Sequence, residues 1–395
     1  MTRKRVAVVG GCGHVGLPLS IALAEHHDVL VYDIDVAAAE RVSRGELPFK
    51  DEGAAEGLAA ALKRGMRVST TPEGLASCET IVFVIGTPVD EHLNPSFTVF
   101  DRVLAELFPW LRDGQTLVLR STVLPGTSDR VHRMLDQQGL HIHVAFCPER
   151  VAEGHALEEI RSLPQIVSGC SPQGVAAAKE LFAPLGVEMI ELTPIEAELA
   201  KLFTNTYRYI TFAVANQFYM VACEYGLDFY KVLHAVTHNY PRGADMPSAG
   251  FAAGPCLFKD TMQMLSFNDN QFFLGHSAML VNEGLPKFVV NRMKKRWPDL
   301  DQKTVGLLGM AFKAESDDTR ESLSYKLKKI LQFHTRGVLT CDPEVADDTL
   351  STEDDVLAQA DIFVIGAPHR RYQSLDYRGK PVVDVWNLLG QGGAI

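Results

Sequence analysis

The chain lacks any uninterrupted run of about eighteen apolar residues, so no helix is expected to span a membrane. It also lacks a block of Lys or Arg. Its 38 basic residues against 49 acidic ones leave a formal charge of −11, which gives a polyanion no general attraction and argues against nucleic acid as a partner. Any phosphate must then be held locally, by helix ends and a few placed cations. The seven cysteines are scattered, odd in number and free of CxxC or Cys/His spacing, which predicts no structural metal, no disulfide framework and a reducing cytoplasm. Low-complexity segments are absent as well. What remains is ordinary: 46% hydrophobic and 22% charged residues, in a chain of 395 that is too long for a single core. Met1-Thr2-Arg3-Lys4-Arg5 and the apolar stretch after it imitate a signal peptide, but Gly10, Gly11, Gly13, Gly16 and Pro18 interrupt that stretch. A strand, a glycine turn and a helix fit it better.

Short apolar runs alternate with helical periodicity from Val6 to about residue 191, the mark of a parallel sheet covered on both faces. The runs are Val6–Val9, Val29–Tyr32, Ile81–Ile85, Thr116–Leu119, His143–Phe146, Gln165–Ser168 and Val187–Leu192. After Pro194 the pattern changes. Ile195 to about Leu227 contains no Pro and no Gly before Gly226, enough for a spine helix of about eight or nine turns. Helical signal resumes near Asp260, and Leu285-Pro286 suggests a kink or junction. Asp299–Gln302 reads as a polar linker into a second α/β block with strands at Thr304–Leu308, Val338–Cys341, Asp361–Ile365 and Pro381–Val385. The expected fold is therefore α/β, two Rossmann-like doubly wound domains (1–193 and 299–395) joined by a helical central domain (194–298). The two blocks are alike in kind but do not align as a repeat.

Gly11-Cys12-Gly13-His14-Val15-Gly16 matches the dinucleotide fingerprint directly after a strand and at a helix start. Its first glycine is expected to make the tight turn, its second to admit pyrophosphate, and its third to let helix and strand pack closely. Asp33, about twenty residues on, is placed to accept from a ribose hydroxyl, which favours NAD over NADP. Ser121-Thr122 and the pair Glu149 and Glu153 follow strands, at the carboxyl ends where such folds bind ligands. Lys201 and Asn205, one helical turn apart, project from one face of the spine helix.

Cys256 completes the set. Pro255 before it suits the first turn of a helix, whose amides and dipole favour thiolate, and Asp260 shares its face one turn later. Taken alone, a free Cys is more often a small buried hydrophobe. Beside a nicotinamide, a thiolate can capture an aldehyde.

In order, Gly11-x-Gly13-x-Val15-Gly16, Thr87-Pro88-Val89, Ser121-Thr122-Val123-x-Pro125-Gly126-Thr127, Pro148-Glu149-Arg150, Lys201-x3-Asn205, Gly254-Pro255-Cys256-x2-Lys259-Asp260 and Gly309-Met310-Ala311-Phe312-Lys313 with Asp317–Ser322 resemble the UDP-glucose/GDP-mannose dehydrogenase family over essentially the whole chain. The resemblance implies an NAD-binding first domain, a central domain that makes a homodimer, and a last domain that helps hold a nucleotide sugar, UDP-linked by default with dTDP and GDP left open. It implies a four-electron oxidation of the sugar C6 alcohol to a uronic acid through a Cys256 thiohemiacetal and thioester. By the same resemblance Lys201 and Asn205 stabilise an oxyanion, Asp260 with Thr122 assists proton transfer, and Glu149 is the base of hydrolysis, supported by Glu153. Gly11, Gly13, Val15, Gly16, Asp33, Thr87, Thr122 and Arg320 are then the cofactor side, and Glu149, Arg150, Lys201, Asn205, Arg242, Gly254 and Lys313 the substrate side. Ala252-Ala253 departs from the family's pattern, and Cys147-Pro148-Glu149-Arg150, Asn239-Tyr240-Pro241-Arg242 and Ala367-Pro368-His369 look more like the N-acetylhexosamine branch. A two-electron dehydrogenase or epimerase would explain the glycines and Asp33 but leave Cys256 idle, and a catalytically silent sugar-nucleotide binder would not need Lys201, Asn205, Cys256 and Asp260 together.

Overall fold

A computed structural model describes residues 3–87, 97–251, 254–393 and 395. Pro88, Val89, Ala252 and Ala253, drawn into the sequence motifs above, lie outside the described residues. The chain divides into two compact units, Met1–Thr204 and Asn205–Ile395.

The first unit is built on an eight-stranded sheet of β1 (Arg5–Val9), β2 (Asp28–Tyr32), β3 (Arg67–Ser69), β4 (Thr80–Phe83), β5 (Thr116–Leu119), β6 (His143–Phe146), β7 (Gln165–Gly169) and β8 (Met189–Glu191). Their order is β3-β2-β1-β4-β5-β6-β7-β8. The valine- and leucine-rich strands are buried on both faces, with one apolar cluster around Val8, Leu17 and Val31 and another around Phe83, Phe100 and Leu119. Double coverage of this kind is what makes a strand read as a continuous apolar run. β1 to β6 run parallel, but β7 pairs with β6 antiparallel. The wholly parallel sheet expected from the pattern is thus corrected at one joint, because a strand buried on both faces looks the same in either direction. β3 escaped the sequence pattern, being three residues long and at the sheet edge with no buried member.

The spine helix runs Pro194–Glu224. Glu196 accepts from the Thr193 amide at 2.8 Å, the reciprocal half of a capping box ahead of Pro194. At the other end Gly226 adopts φ 67°, and the bonds Leu227 N to Ala222 O and Gly226 N to Cys223 O close it in a Schellman motif.

The second unit holds a four-stranded parallel sheet of β9 (Thr304–Leu308), β10 (Gly337–Cys341), β11 (Ile362–Ile365) and β12 (Val382–Val383), in the order β10-β9-β11-β12. Its helices Pro255–Phe267 and Phe273–Arg296 precede the sheet. Leu285, Val289 and Met293 of the helix Phe273–Arg296 share one core with Val305, Leu307 and Leu327, so that helix packs against the sheet. Pro286 does not break its helix; the flanking buried residues carry it through the missing donor. The expected polar linker at residues 299–302 is a short 3₁₀ turn that buries Leu300. Among the described residues no helix is long and apolar enough to cross a membrane.

Candidate active site

In the first unit the fingerprint turn leaves β1 opposite the end of β2. Gly10 takes φ 75°, with its amide bonded to Tyr32 O at 2.9 Å. The tight turn therefore belongs to Gly10, one residue before the expected Gly11. Gly11 is instead held by packing, since a Cβ there would stand 2.7 Å from both Val31 Cγ1 and Val8 O. Gly16 lies against Gly10 O and Gly11, as the close helix–strand approach requires. Gly13 is exposed and a Cβ on it would meet only Gly10 O at 3.7 Å, which is the open, backbone-lined surface a pyrophosphate needs. Val15 is the residue just ahead of the helix Gly16–Leu23. Asp33 accepts from Cys12 N at 2.9 Å and Asp35 N at 3.1 Å and stays half-exposed. These residues fit a dinucleotide.

The ends of β4 and β5 are tied together beside that turn. Ser121 Oγ accepts from Ile85 N at 2.7 Å, and Thr87 Oγ1 donates to the carbonyl of Thr122 at 2.6 Å. Glu149, after β6, is buried and both of its oxygens are engaged. Oε2 accepts from Arg120 Nε at 2.9 Å and from Nη2, while Oε1 accepts from the amides of Arg150 at 2.7 Å and Val151 at 3.1 Å. Arg120 is 1% exposed; it also donates to Cys147 O and Gln165 Oε1, and it lies over the Phe182 ring. The Arg150 guanidinium turns to Pro164 O, and Glu153 sits half-buried on the same loop. Sequence reasoning missed Arg120, although a charged residue directly continuing a buried strand has to find a partner. It missed Glu198 too. That buried carboxylate on the spine helix accepts from Gly126 N, Ser128 N and Ser128 Oγ, and burial pushes its carboxyl up. Lys201, one turn further along, is buried as well.

In the second unit Asn205 Nδ2 donates to Asp260 Oδ2 at 2.6 Å, and Lys259 Nζ lies 2.8 Å from Asp260 Oδ1. Asp260 is 0% exposed. Cys256 stands in the first turn of the helix Pro255–Phe267, four residues before Asp260, behind the N-cap Gly254. Of the seven cysteines it alone is exposed. Burial pushes the thiols of Cys12, Cys170 and Cys341 up to about 12 and that of Cys147 to about 11, and raises those of Cys78 and Cys223. Six cysteines are therefore held as thiols, and Cys256 alone has the exposure and helix-end position of a nucleophile. Gly254 has φ 107°, and a Cβ there would come within 2.7 Å of the Phe312 ring. Lys313 lies over that same ring, with Nζ 5.7 Å from its centroid.

Two expected ligand contacts are directed elsewhere. The Arg320 guanidinium folds back onto Asp318, with Nε 3.0 Å from both carboxylate oxygens. Arg242 donates from Nε to Tyr240 OH at 2.8 Å and stacks on that ring in an exposed loop.

A fingerprint turn with its acid and a second Rossmann-like sheet define a dinucleotide-binding α/β protein. Models of the UDP-glucose/GDP-mannose dehydrogenase family match residues 4–186 (NAD binding domain), 195–283 (central domain) and 306–391 (UDP binding domain). The chain belongs to this family, as an NAD-dependent nucleotide-sugar dehydrogenase with NAD as its cofactor. It is 28% identical to the UDP-N-acetyl-D-mannosamine dehydrogenase of Pyrococcus horikoshii, over 98% of this chain and 96% of that one. Its fold superposes on a UDP-glucose dehydrogenase from Pyrobaculum islandicum with TM-score 0.92 at 26% identity, covering 100% of this chain and 96% of that one. A solved structure of the Pyrococcus horikoshii mannosamine enzyme gives TM-score 0.91 at 26% identity, covering 97% and 96%.

Proposed function

We propose that this enzyme oxidises the C6 alcohol of a UDP-linked sugar, glucose or an N-acetylhexosamine, to the carboxylate, consuming two NAD per turnover. The observation that carries the reading is Cys256, exposed in its helical turn where every other cysteine is wholly or partly covered. The similarity to UDP-N-acetyl-D-mannosamine dehydrogenases puts that sugar first in a substrate panel, ahead of UDP-glucose.

NAD, when bound, would supply the hydride acceptor for each of the two oxidations. Gly11, Gly13, Val15, Gly16, Asp33, Thr87 and Thr122 would hold it, with Arg320 joining once released from Asp318. Once C6 is an aldehyde, the Cys256 thiolate adds to it and the new C–S bond prevents escape. The oxygen of the adduct gathers negative charge, which the Lys201 ammonium and the Asn205 amide stabilise. Asp260 and Thr122 move the alcohol proton through a water. The second oxidation leaves a thioester. Water attacks its carbonyl, the C–S bond breaks, the acid leaves and the thiolate returns. Glu149 is the base of that step and Glu153 its support; to take the proton, Glu149 releases one of the four contacts that engage it. Arg150, Arg242, Gly254 and Lys313 complete the sugar-nucleotide side. By role the chain divides at 1–193, 194–298 and 299–395, and it works in the cytoplasm.

The spine helix exposes Phe203, Tyr207, Val214, Phe218 and Val221, a stripe at steps of three, four and seven residues, with exposed Tyr225 just past its end. We assign it to the homodimer interface; sedimentation as a stable monomer would remove that assignment.

Purified enzyme given UDP-N-acetyl-D-mannosamine or UDP-glucose should yield two NADH per acid. One NADH per sugar would instead mark a two-electron dehydrogenase, and binding without turnover a silent homologue. Cys256→Ser should cut acid formation by roughly 10⁴-fold while NAD affinity is kept. Undiminished acid production by that variant rules out covalent capture.

A further inference from the structure

The second sheet carries a buried pair that the reaction does not use. His369, after β11, is 1% exposed. Its Nδ1 lies 2.9 Å from the amide of Glu315, and an amide can only donate, so Nδ1 is the acceptor and the ring proton sits on Nε2. Nε2 then donates to Asp342 Oδ2 at 3.2 Å. That same Oδ2 accepts from Met310 N at 2.6 Å and Ala311 N at 2.9 Å, while Oδ1 accepts from Glu344 N at 2.8 Å. One imidazole thus grips the turn after β9 at two places, at Met310-Ala311 through Asp342 and at Glu315 directly. Lys313 lies between them. Glu315 needs the grip, because it sits at φ 55° without being glycine, a backbone conformation that persists only where its surroundings enforce it.

We propose that His369 is a positioning residue of the sugar-nucleotide site, clamping both ends of the segment that presents Lys313 to the substrate diphosphate. This rests on reading the second sheet as the UDP site. A flexible lysine offers a point charge, and its value to a phosphate depends on how firmly its backbone is held. His369 supplies that firmness without touching the ligand. Asn or Gln can each replace one half of the clamp: Asn keeps an acceptor near Glu315 N, and Gln keeps a donor toward Asp342.

The test is calorimetric titration of the full-length protein with UDP, and separately with NAD, for the wild type, His369→Phe, His369→Asn, His369→Gln, Lys313→Ala and the double variant Lys313→Ala/His369→Phe. His369→Phe should weaken UDP about tenfold and leave NAD within about twofold, with the Asn and Gln variants between it and wild type. In the Lys313→Ala background His369→Phe should add nothing further, because the clamp acts through that lysine. A general structural role would give additive losses, and that result overturns the proposal. So does wild-type UDP affinity in His369→Phe. Where His369→Phe loses NAD as well, the Asn and Gln variants decide, and wild-type UDP affinity in both overturns it. A wild-type protein that binds NAD but not UDP overturns the UDP reading itself, and the clamp with it.

Discussion

The turn after β1 and the turn after β9 are the same device put to two uses. In each, a glycine at positive φ, Gly10 or Gly309, donates its amide at 2.9 Å to the last residue of the neighbouring strand, Tyr32 or Cys341. An aspartate follows at once, Asp33 or Asp342, and accepts amides from the turn. There the likeness stops. Asp33 is half-exposed beside the open backbone of Gly13, whereas Asp342 is sealed beneath His369 with its acceptor positions filled. An acid at the end of the second strand of such a unit is therefore a ligand acceptor or a structural clamp according to what covers it, and topology alone does not choose.

Substitutions can break this comparison. The largest effect is expected for a buried charge stripped of its partner: Arg120→Met leaves Glu149 buried with only its two amides and should cost about 3–5 kcal/mol in denaturant unfolding. A loss under about 1 kcal/mol would mean the pair is dispensable. Asp342→Asn comes next, at about 3 kcal/mol, because an amide NH₂ cannot accept from the amides that now share the carboxylate. Gly309→Ala should lose about 2 kcal/mol, since its φ is 94° and a Cβ would meet Ala367 at 2.5 Å. On the ligand side, Gly13→Ala should leave the melting temperature unchanged, since a Cβ there meets only Gly10 O at 3.7 Å, and weaken NAD roughly tenfold. The smallest effect is expected for Asp33→Asn, about fivefold in NAD affinity with stability kept, because Asn still offers one acceptor oxygen. Equal stability losses for Asp33→Asn and Asp342→Asn would erase the distinction drawn between the two turns.

Much of this molecule was legible from its residues. The apolar runs located seven of the eight strands of the first sheet and all four of the second, because most of these strands are buried on both faces and so apolar throughout, although β8 has no buried residue. Pro194 and Gly226 marked the spine helix to within a few residues, since the cap chemistry is local. The reversal at β7 was not legible, as apolarity carries no direction. Nor was the shared core of Val289, Leu307 and Leu327, whose members lie in separate stretches of chain. At the site, Asp33, Asn205, Cys256 and Asp260 could be named from spacing. Glu198, Asp342 and His369 could not, because nothing in the neighbouring residues distinguishes a buried polar group from a solvated one, and for Arg120 the buried strand before it said that a partner was needed but not which.

By itself the sequence determined the periods, the caps, the glycine turn and the placing of a thiol in the first turn of a helix, all of which depend on residues within a few positions of one another. Tertiary structure alone decided which of seven cysteines is exposed, where the Glu149 oxygens are engaged, and which of two equivalent aspartates remains open to a ligand. Those outcomes depend on burial, and burial is set by side chains that approach from distant parts of the chain.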